Sequence, residues 1–139
     1  MKILLTSHGE FCTGLLNSFH MVAGKSNNIY ALALTDAGIR SFSNKLNELL
    51  NELTLDDQVL ILCDMKGGTP FNESYKYYLS HKQLVNVVYG MNLPMVIETG
   101  MSLNSVQSLQ QLGKIAVSSG IENVGEVLDE SNELDELDF

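Results

Sequence analysis

The segment from residue 59 to residue 72 limits what this chain can fold into more than any other. It begins with five apolar residues, Val59–Cys63, a run too short to cross a membrane and typical of a strand buried on both faces. Asp64 follows, and the motif Gly67-Gly68-Thr69-Pro70 comes soon after it. Its glycines allow a tight turn, and its Thr-Pro pair is typical of a helix N-cap and first helical residue. The segment therefore predicts a buried strand, a turn and a helix.

Short apolar runs alternate with segments of helical periodicity along the rest of the chain. The runs predict strands at residues 2–7, 29–34, 59–63 and 84–89. Apolar residues spaced three or four apart predict helices at residues 10–22, 39–53, 70–81 and 103–117, and Pro94 marks a further helix start. The predicted buried face of the helix beginning at residue 39 is Ile39, Phe42, Leu46, Leu49 and Leu53. That of the helix beginning at residue 70 is Phe71, Tyr75, Tyr78 and Leu79. That of the helix beginning at residue 103 is Leu103, Val106, Leu109, Leu112 and Ile115.

This order of elements predicts the α/β class. Strands that alternate with helices of about ten to fifteen residues form βαβ units with right-handed crossovers, which give a parallel sheet covered by helices on both faces. We expect a doubly wound sheet of parallel strands in the order 2-1-3-4. Ligands of such sheets bind beyond the carboxyl ends of the strands, where the strand order reverses. In the expected order, that place lies between strands one and three.

The formal net charge of −9 over 139 residues is concentrated near one end of the chain. Residues 126–138 hold seven of the 17 acidic side chains, so the remainder has 8 basic and 10 acidic residues. Because no basic stripe is present to neutralise phosphates, we expect no nucleic-acid partner. We predict one domain, residues 1–128, followed by an acidic tail, residues 129–139, that forms a solvated terminus or a linker.

Composition also indicates the compartment. No apolar run approaches the roughly 20 residues of a membrane helix, and the N-terminus lacks the features of a secretory signal, so we expect a cytoplasmic protein without direct membrane insertion. Cys12 and Cys63 are too few for a metal cluster or a disulfide framework, and both are expected to be buried as small apolar residues. No metal-ligand set is visible, and we predict no metal and no cofactor.

Two polar side chains follow the strands on either side of the expected switch point. His8 follows strand one, and Asp64 follows strand three. The amides of Gly67, Gly68 and Thr69, with the free N–H groups of the next helix, would point at one place and bind an anion. A plain strand-to-helix turn would use the same residues, and the presence of His8 at a second strand end is what favours a functional site.

An imidazole beside a carboxylate and an anion site can carry a phosphoryl group. A carboxylate such as Asp64 accepts from one ring N–H, which fixes the tautomer and leaves the other nitrogen free as a nucleophile. His8 would then attack phosphorus, while the loop amides and the Thr69 hydroxyl stabilise the phosphoryl oxygens. His20 lies inside the first helix and His81 at the end of the third, so neither is expected to take part.

The residues leave two other functions open. A receiver-like module would carry the phosphoryl group on Asp64, but it needs an acidic pair at the end of strand one to hold magnesium, where this chain has Thr6-Ser7-His8. A non-catalytic module could bind an acidic metabolite in the same cleft, since fold alone does not fix function. Nucleotides are disfavoured as ligands because the loop lacks the P-loop lysine and no G-x-G-x-x-G follows strand one.

Three motifs together resemble the IIA component of the mannose family of the bacterial phosphoenolpyruvate:sugar phosphotransferase system. They are Ser7-His8-Gly9 after strand one, Asp64 with GGTPFN at residues 67–72, and GMNLPMVIET at residues 90–99. The resemblance implies a phosphotransferase that carries phosphohistidine without a metal. His8 would be the phosphorylated residue and Asp64 its orienting partner, and the loop amides with Thr69 would hold the phosphate.

The resemblance also implies partners. The histidine-containing phosphocarrier protein would donate the phosphoryl group to His8, and a IIB component of the same permease would receive it during sugar uptake. Family members form homodimers in which a C-terminal strand pairs with the partner's sheet, and residues 123–128 would be that strand here. We expect a free-standing subunit rather than one fused to IIB. The phosphocarrier subunit of a dihydroxyacetone kinase, which has the same fold and histidine, is the alternative within this resemblance.

Overall fold

The computed structural model describes residues 1–129 of the chain. Its elements follow in the order β1 (Lys2–His8), α1 (Phe11–Ala23), β2 (Ile29–Leu34), α2 (Ile39–Leu53), β3 (Val59–Cys63), α3 (Thr69–Ser80), β4 (Val85–Tyr89), α4 (Leu93–Ser102) and α5 (Leu109–Glu122). The four strands pair in parallel in the order β2-β1-β3-β4. The predicted fold class and strand order are confirmed.

The apolar run of β3 is explained by the two cores on either side of the sheet. All five of its residues are buried, and successive side chains of a strand point to opposite faces. Leu60 and Leu62 belong to the core formed with α1, α4 and α5. Val59, Ile61 and Cys63 belong to the core formed with α2 and α3. A strand that serves two cores has no polar face, which is why the run is continuous.

Helix α3 corrects the predicted buried face. Its buried residues are Pro70, Ser74 and Tyr77, whereas Tyr75 and Leu79 are exposed and Phe71 and Tyr78 are half-buried. Buried Ser74 donates its hydroxyl hydrogen to the Pro70 carbonyl at 2.7 Å, and the Tyr77 hydroxyl donates to Asn51 at 2.9 Å. Because these polar groups are satisfied by hydrogen bonds, they can be buried at little cost in free energy. The spacing of apolar residues alone therefore predicted the wrong buried face for α3.

Two smaller corrections concern the other helices. In α2, Ile39 is exposed and Leu50, which was not predicted, is buried. Helix α5 begins at Leu109, six residues later than predicted, because the hydroxyl of Ser108 caps it by accepting from the Gln111 N–H at 3.1 Å. The connecting residues Leu103 and Val106 still pack against the core, so the apolar spacing continued through a segment that is not part of that helix.

Residues 124–129 form neither helix nor strand in the single chain, and the predicted exchange of residues 123–128 in a dimer stays a prediction. The predicted tail, apart from residue 129, lies outside the described residues, and the domain boundary stays a prediction as well. Cys12 and Cys63 are free and buried, as expected. No helix within residues 1–129 is both long enough and apolar enough to cross a membrane.

Candidate active site

The pairing of β1 with β3 brings His8 next to Asp64. Thr6 pairs with Cys63 in the sheet, so the residues that follow leave the same edge side by side. Nδ1 of the His8 ring lies 2.7 Å from Oδ2 of Asp64, and the backbone N–H of His8 donates to the same oxygen at 2.9 Å. The second carboxylate oxygen accepts from the Met65 N–H at 2.9 Å. The aspartate is thereby fixed at both oxygens and holds the imidazole in one orientation.

The electrostatics of this pair define the tautomer of His8. Partial burial on its own would raise the pKa of Asp64, but the hydrogen bonds from the His8 backbone and ring outweigh burial and lower that pKa below its usual value of 3.8. The carboxylate is therefore ionised at neutral pH and can only accept. Nδ1 must carry the hydrogen that it shares with Asp64, so in the neutral ring the lone pair belongs to Nε2.

The side chains of His8 and Asp64 differ in their exposure to solvent. The His8 side chain is 47% exposed and that of Asp64 is 13% exposed. The imidazole can thus meet a group carried by another molecule, while the carboxylate behind it is largely shielded from water. Shielding strengthens the electrostatic interaction between the carboxylate and any charge that develops on the ring.

Glycine is required at Gly67 and at Gly68 for different structural reasons. Gly67 adopts φ +86°, a left-handed conformation that costs other residues energy. Gly68 has an ordinary extended backbone with φ −85° and ψ 168°, so its conformation does not require glycine. A methyl group at Gly68 would instead lie 2.5 Å from Cε1 and 3.0 Å from Nε2 of His8. The predicted phosphate loop therefore lies beside the ring edge formed by Cε1 and Nε2, with no room for a side chain between them.

The predicted helix cap is wrong by one residue. Gly68 is the N-cap of α3, Thr69 is its first helical residue, and no side chain caps the helix. The Thr69 hydroxyl is therefore not used for capping in the way that the Thr-Pro pair predicted. Thr69 still lies at the start of α3, where the N–H groups of the first turn have no partner within the helix, and its part in an anion site stays a prediction.

Two residues without a predicted role shape the site. The buried Ser7 hydroxyl donates to the Gly9 carbonyl at 2.9 Å and accepts from the Cys12 N–H at 2.8 Å, so it fixes the turn that carries His8. The Asn72 side chain donates to the Gly67 carbonyl at 3.2 Å. Both residues stand in the motifs that were singled out, but their hydrogen bonds depend on turns that the sequence does not specify.

In the described part of the chain, neither His20 nor His81 is hydrogen-bonded to His8 or Asp64. The His81 ring stacks on Tyr77 at 3.8 Å between centroids, and its Nδ1 pairs with the Tyr77 carbonyl at 2.8 Å. His20 lies on α1, and its ring is T-shaped to that of Phe19 with 6.1 Å between centroids. Within residues 1–129, no group of three or more His, Cys, Asp or Glu side chains is arranged to hold a metal ion.

Comparison with known proteins places this geometry in a family. The family described as PTS system fructose IIA component, EIIA-man, matches residues 2–116. The PTS fructose-specific EIIA component of Bacillus subtilis is 29% identical over 113 residues, which are 81% of this chain and 76% of that protein. The PTS mannose-specific EIIAB component of Escherichia coli K12 is 30% identical over 125 residues, which are 89% of this chain but only 38% of that protein.

The fold agrees with a solved structure of the same kind. The mannose/sorbose-specific IIA subunit from Enterococcus faecalis matches with a TM-score of 0.79 and 30% identity, over 93% of this chain and 96% of that one. Fold, sequence match and structural match together define a IIA component of the PTS sugar phosphotransferase system, and hence a phosphotransferase component. The chain belongs to the EIIA-man family, which confirms the resemblance found in its three motifs.

Proposed function

We propose that this chain is a phosphocarrier in which His8 accepts a phosphoryl group from the histidine-containing phosphocarrier protein and passes it to a IIB component. The observation that carries the proposal is the 2.7 Å hydrogen bond between Nδ1 of His8 and Asp64. This bond presents Nε2, with its lone pair, at a half-exposed ring edge beside the loop that begins α3. A fixed imidazole with one free nitrogen is what nucleophilic attack on phosphorus requires.

In the proposed step, the bond from Nε2 to phosphorus forms as the nitrogen–phosphorus bond of the donor breaks. The electron pair of the broken bond stays on the donor's ring nitrogen. The proton on Nδ1 does not move, so the phosphorylated His8 ring gains positive charge next to the Asp64 carboxylate. That carboxylate is already in place before transfer, and its attraction to the ring therefore needs no rearrangement as charge develops.

The phosphoryl oxygens would be bound by the start of α3. The amides of Gly67, Gly68 and Thr69 and the Thr69 hydroxyl are the proposed donors. The first turn of α3 contains no acidic residue, so nothing within that turn opposes the attraction between a helix N-terminus and negative charge. Transfer through a loose transition state depends on such positioning and charge stabilisation rather than on covalent help from the protein.

The proposed partners are those of the family. A IIB component of the same permease would receive the phosphoryl group during sugar uptake in the cytoplasm. We also propose a homodimer in which residues 123–128 pair with β4 of the partner. β4 lies at the edge of the described sheet, and an apolar cavity of about 460 Å³ beside it is lined by Val88, Ile121 and Val124, among others. An added strand would cover this open edge.

The test is phosphorylation with phosphoenolpyruvate, enzyme I and the histidine phosphocarrier, followed by intact mass. We expect a gain of one phosphoryl group that is lost in acid and stable in alkali, as phosphohistidine is and an acyl phosphate on Asp64 is not. His8→Ala should gain nothing and stay folded. His20→Ala, which removes an imidazole from α1, is the matched control and should be labelled like the wild type.

Two results would contradict the proposal. An unlabelled wild-type chain in the presence of a competent donor would favour a binding module. Full labelling of His8→Ala would move the phosphorylated residue elsewhere.

A further inference from the structure

Asn72 contacts the loop at the start of α3 through two hydrogen bonds to successive carbonyls. Its side-chain Nδ2 donates to the Gly67 carbonyl at 3.2 Å, and its backbone N–H donates to the Gly68 carbonyl at 2.8 Å. The second bond is the ordinary bond of a first helical turn. The first is a feature of this side chain, because no backbone bond of the helix reaches Gly67. Both carbonyls are thus turned toward Asn72.

The direction of the carbonyls decides the direction of the amides. In a trans peptide unit, the C=O and the N–H point opposite ways, and no cis peptide bond occurs in the described chain. The N–H groups of Gly68 and Thr69 belong to the same units as the two held carbonyls, so both point away from Asn72. Neither N–H donates a hydrogen bond to another group within residues 1–129. Two free donors therefore face away from Asn72 in a loop where a Cβ at Gly68 would lie 3.0 Å from Nε2 of His8.

The unit between Gly67 and Gly68 needs such a restraint. Glycine residues on both sides leave this unit free to rotate, because neither has a Cβ to limit it. If the unit turned over, it would present a carbonyl oxygen to the phosphoryl group in place of the Gly68 N–H, and an attraction would become a repulsion. The bond from Nδ2 of Asn72 to Gly67 opposes that rotation.

We propose that Asn72 is a positioning residue that aims the Gly68 and Thr69 amides at the phosphoryl group on His8 by holding the Gly67 carbonyl. This inference rests on the proposed function, since it concerns the same site. It adds a specific residue and a specific action: Asn72 does not touch the phosphoryl group but sets the orientation of the peptide units that do. The positioned donors contribute when negative charge lies at the site, so Asn72 acts on transfer more than on folding.

The test compares the wild type with Asn72→Ala and Asn72→Asp. Alanine removes the side-chain donor, and aspartate keeps its shape while replacing the donor by an acceptor. Lys76→Ala, one turn further along α3 and exposed, is the matched control. Single-turnover transfer from the phosphorylated histidine phosphocarrier gives the rate, and the amide resonance of Gly68 in ¹⁵N-labelled protein reports its own N–H before and after phosphorylation.

We expect both Asn72 variants to become phosphorylated on His8, but about tenfold more slowly, which corresponds to about 1.4 kcal/mol. The loss is smaller than for removal of a donor, because the Gly68 and Thr69 amides remain and only their orientation is less restrained. The Gly68 resonance should move strongly on phosphorylation in the wild type and in Lys76→Ala, and clearly less in both variants. If alanine disturbs the helix start, the Gly68 response of Asn72→Asp decides, because aspartate has the size of asparagine. The rate of Asn72→Asp does not decide, since its added negative charge by itself repels the phosphoryl group. A purely structural role would lower stability but leave the response of Gly68 to phosphorylation unchanged.

The outcomes separate the two proposals. If the wild type is not phosphorylated at all, the proposed function is wrong. If the wild type is phosphorylated and the Asn72 variants match it in rate, or are slower with an unchanged Gly68 response, the carrier function stands and the role of Asn72 is wrong.

Discussion

Replacing Gly68 by alanine would place a methyl group against the His8 ring, 2.5 Å from Cε1 and 3.0 Å from Nε2. Carbon atoms in contact lie about 3.5–4.0 Å apart, so the ring would have to move by roughly 1 Å. The alanine itself would not be strained, because φ −85° and ψ 168° are open to any residue. The substitution therefore changes the position of the imidazole and little else.

The expected effect on transfer is large. A displacement of roughly 1 Å would stretch the 2.7 Å contact between Nδ1 and Asp64 beyond hydrogen-bonding range. It would also move Nε2 relative to the loop amides, and misplacement of this size costs about 10²-fold in rate. We expect Gly68→Ala to slow phosphoryl transfer to His8 by about 10²-fold. The free energy of unfolding should change by less than about 1 kcal/mol, since alanine also restricts the unfolded chain.

Gly67→Ala is the control that separates position from stability. At Gly67 a methyl group would meet no atom within 4 Å, but φ is +86°, which costs an alanine about 1–2 kcal/mol. Urea unfolding should therefore show a loss of stability in Gly67→Ala and almost none in Gly68→Ala. Rapid-quench transfer from the phosphorylated carrier should show the larger loss of rate in Gly68→Ala.

The reasoning is refuted if Gly68→Ala accepts the phosphoryl group at the wild-type rate. It is equally refuted if Gly67→Ala and Gly68→Ala lose the same stability. Glycine would then be required at residue 68 for its backbone conformation, as at residue 67, and not for the space that the His8 ring occupies.

Asp64→Asn should slow transfer by about 10²-fold in the same quench experiment, because the ring loses its carboxylate partner; an unchanged rate would show that Asp64 is only a strand-end residue. Its folded pKa lies below the usual value of 3.8, so its stabilising contribution is present above about pH 4 and is lost as the pH falls through the folded pKa. The difference in unfolding free energy between the wild type and Asp64→Asn should shrink accordingly on acidification, and a constant difference would contradict this. Burial raises the pKa of Cys63 to about 12, so peptide mapping should find this thiol unalkylated at pH 8 in the native protein and alkylated in urea. Alkylation of the native protein would show that β3 opens readily.

Helix α3 shows why sequence patterns found the element but not its orientation. Its rings at Phe71 and Tyr75 stack on each other at 5.9 Å between centroids, while Ser74 and Tyr77 take the buried positions. Hydropathy ranks aromatic rings above a serine, yet burial depends on whether each polar group finds a partner. Those partners come from Pro70 in the same helix and Asn51 in another, and the second is known only once the helices have packed.

Local sequence determined the strands, the parallel sheet that they form, and the two strand ends that carry His8 and Asp64. It could do so because a strand buried on both faces needs a continuous apolar run, and the crossovers of such a sheet have one hand. Only the tertiary structure decided the contacts that join these two strand ends into one candidate active site. One Asp64 oxygen accepts from both the backbone N–H and the ring of His8. The His8 ring occupies the space that a side chain at Gly68 would need, and the Asn72 side chain donates to the Gly67 carbonyl. Distances of this kind are fixed by how neighbouring strands and turns pack, which no spacing of residues along the chain specifies.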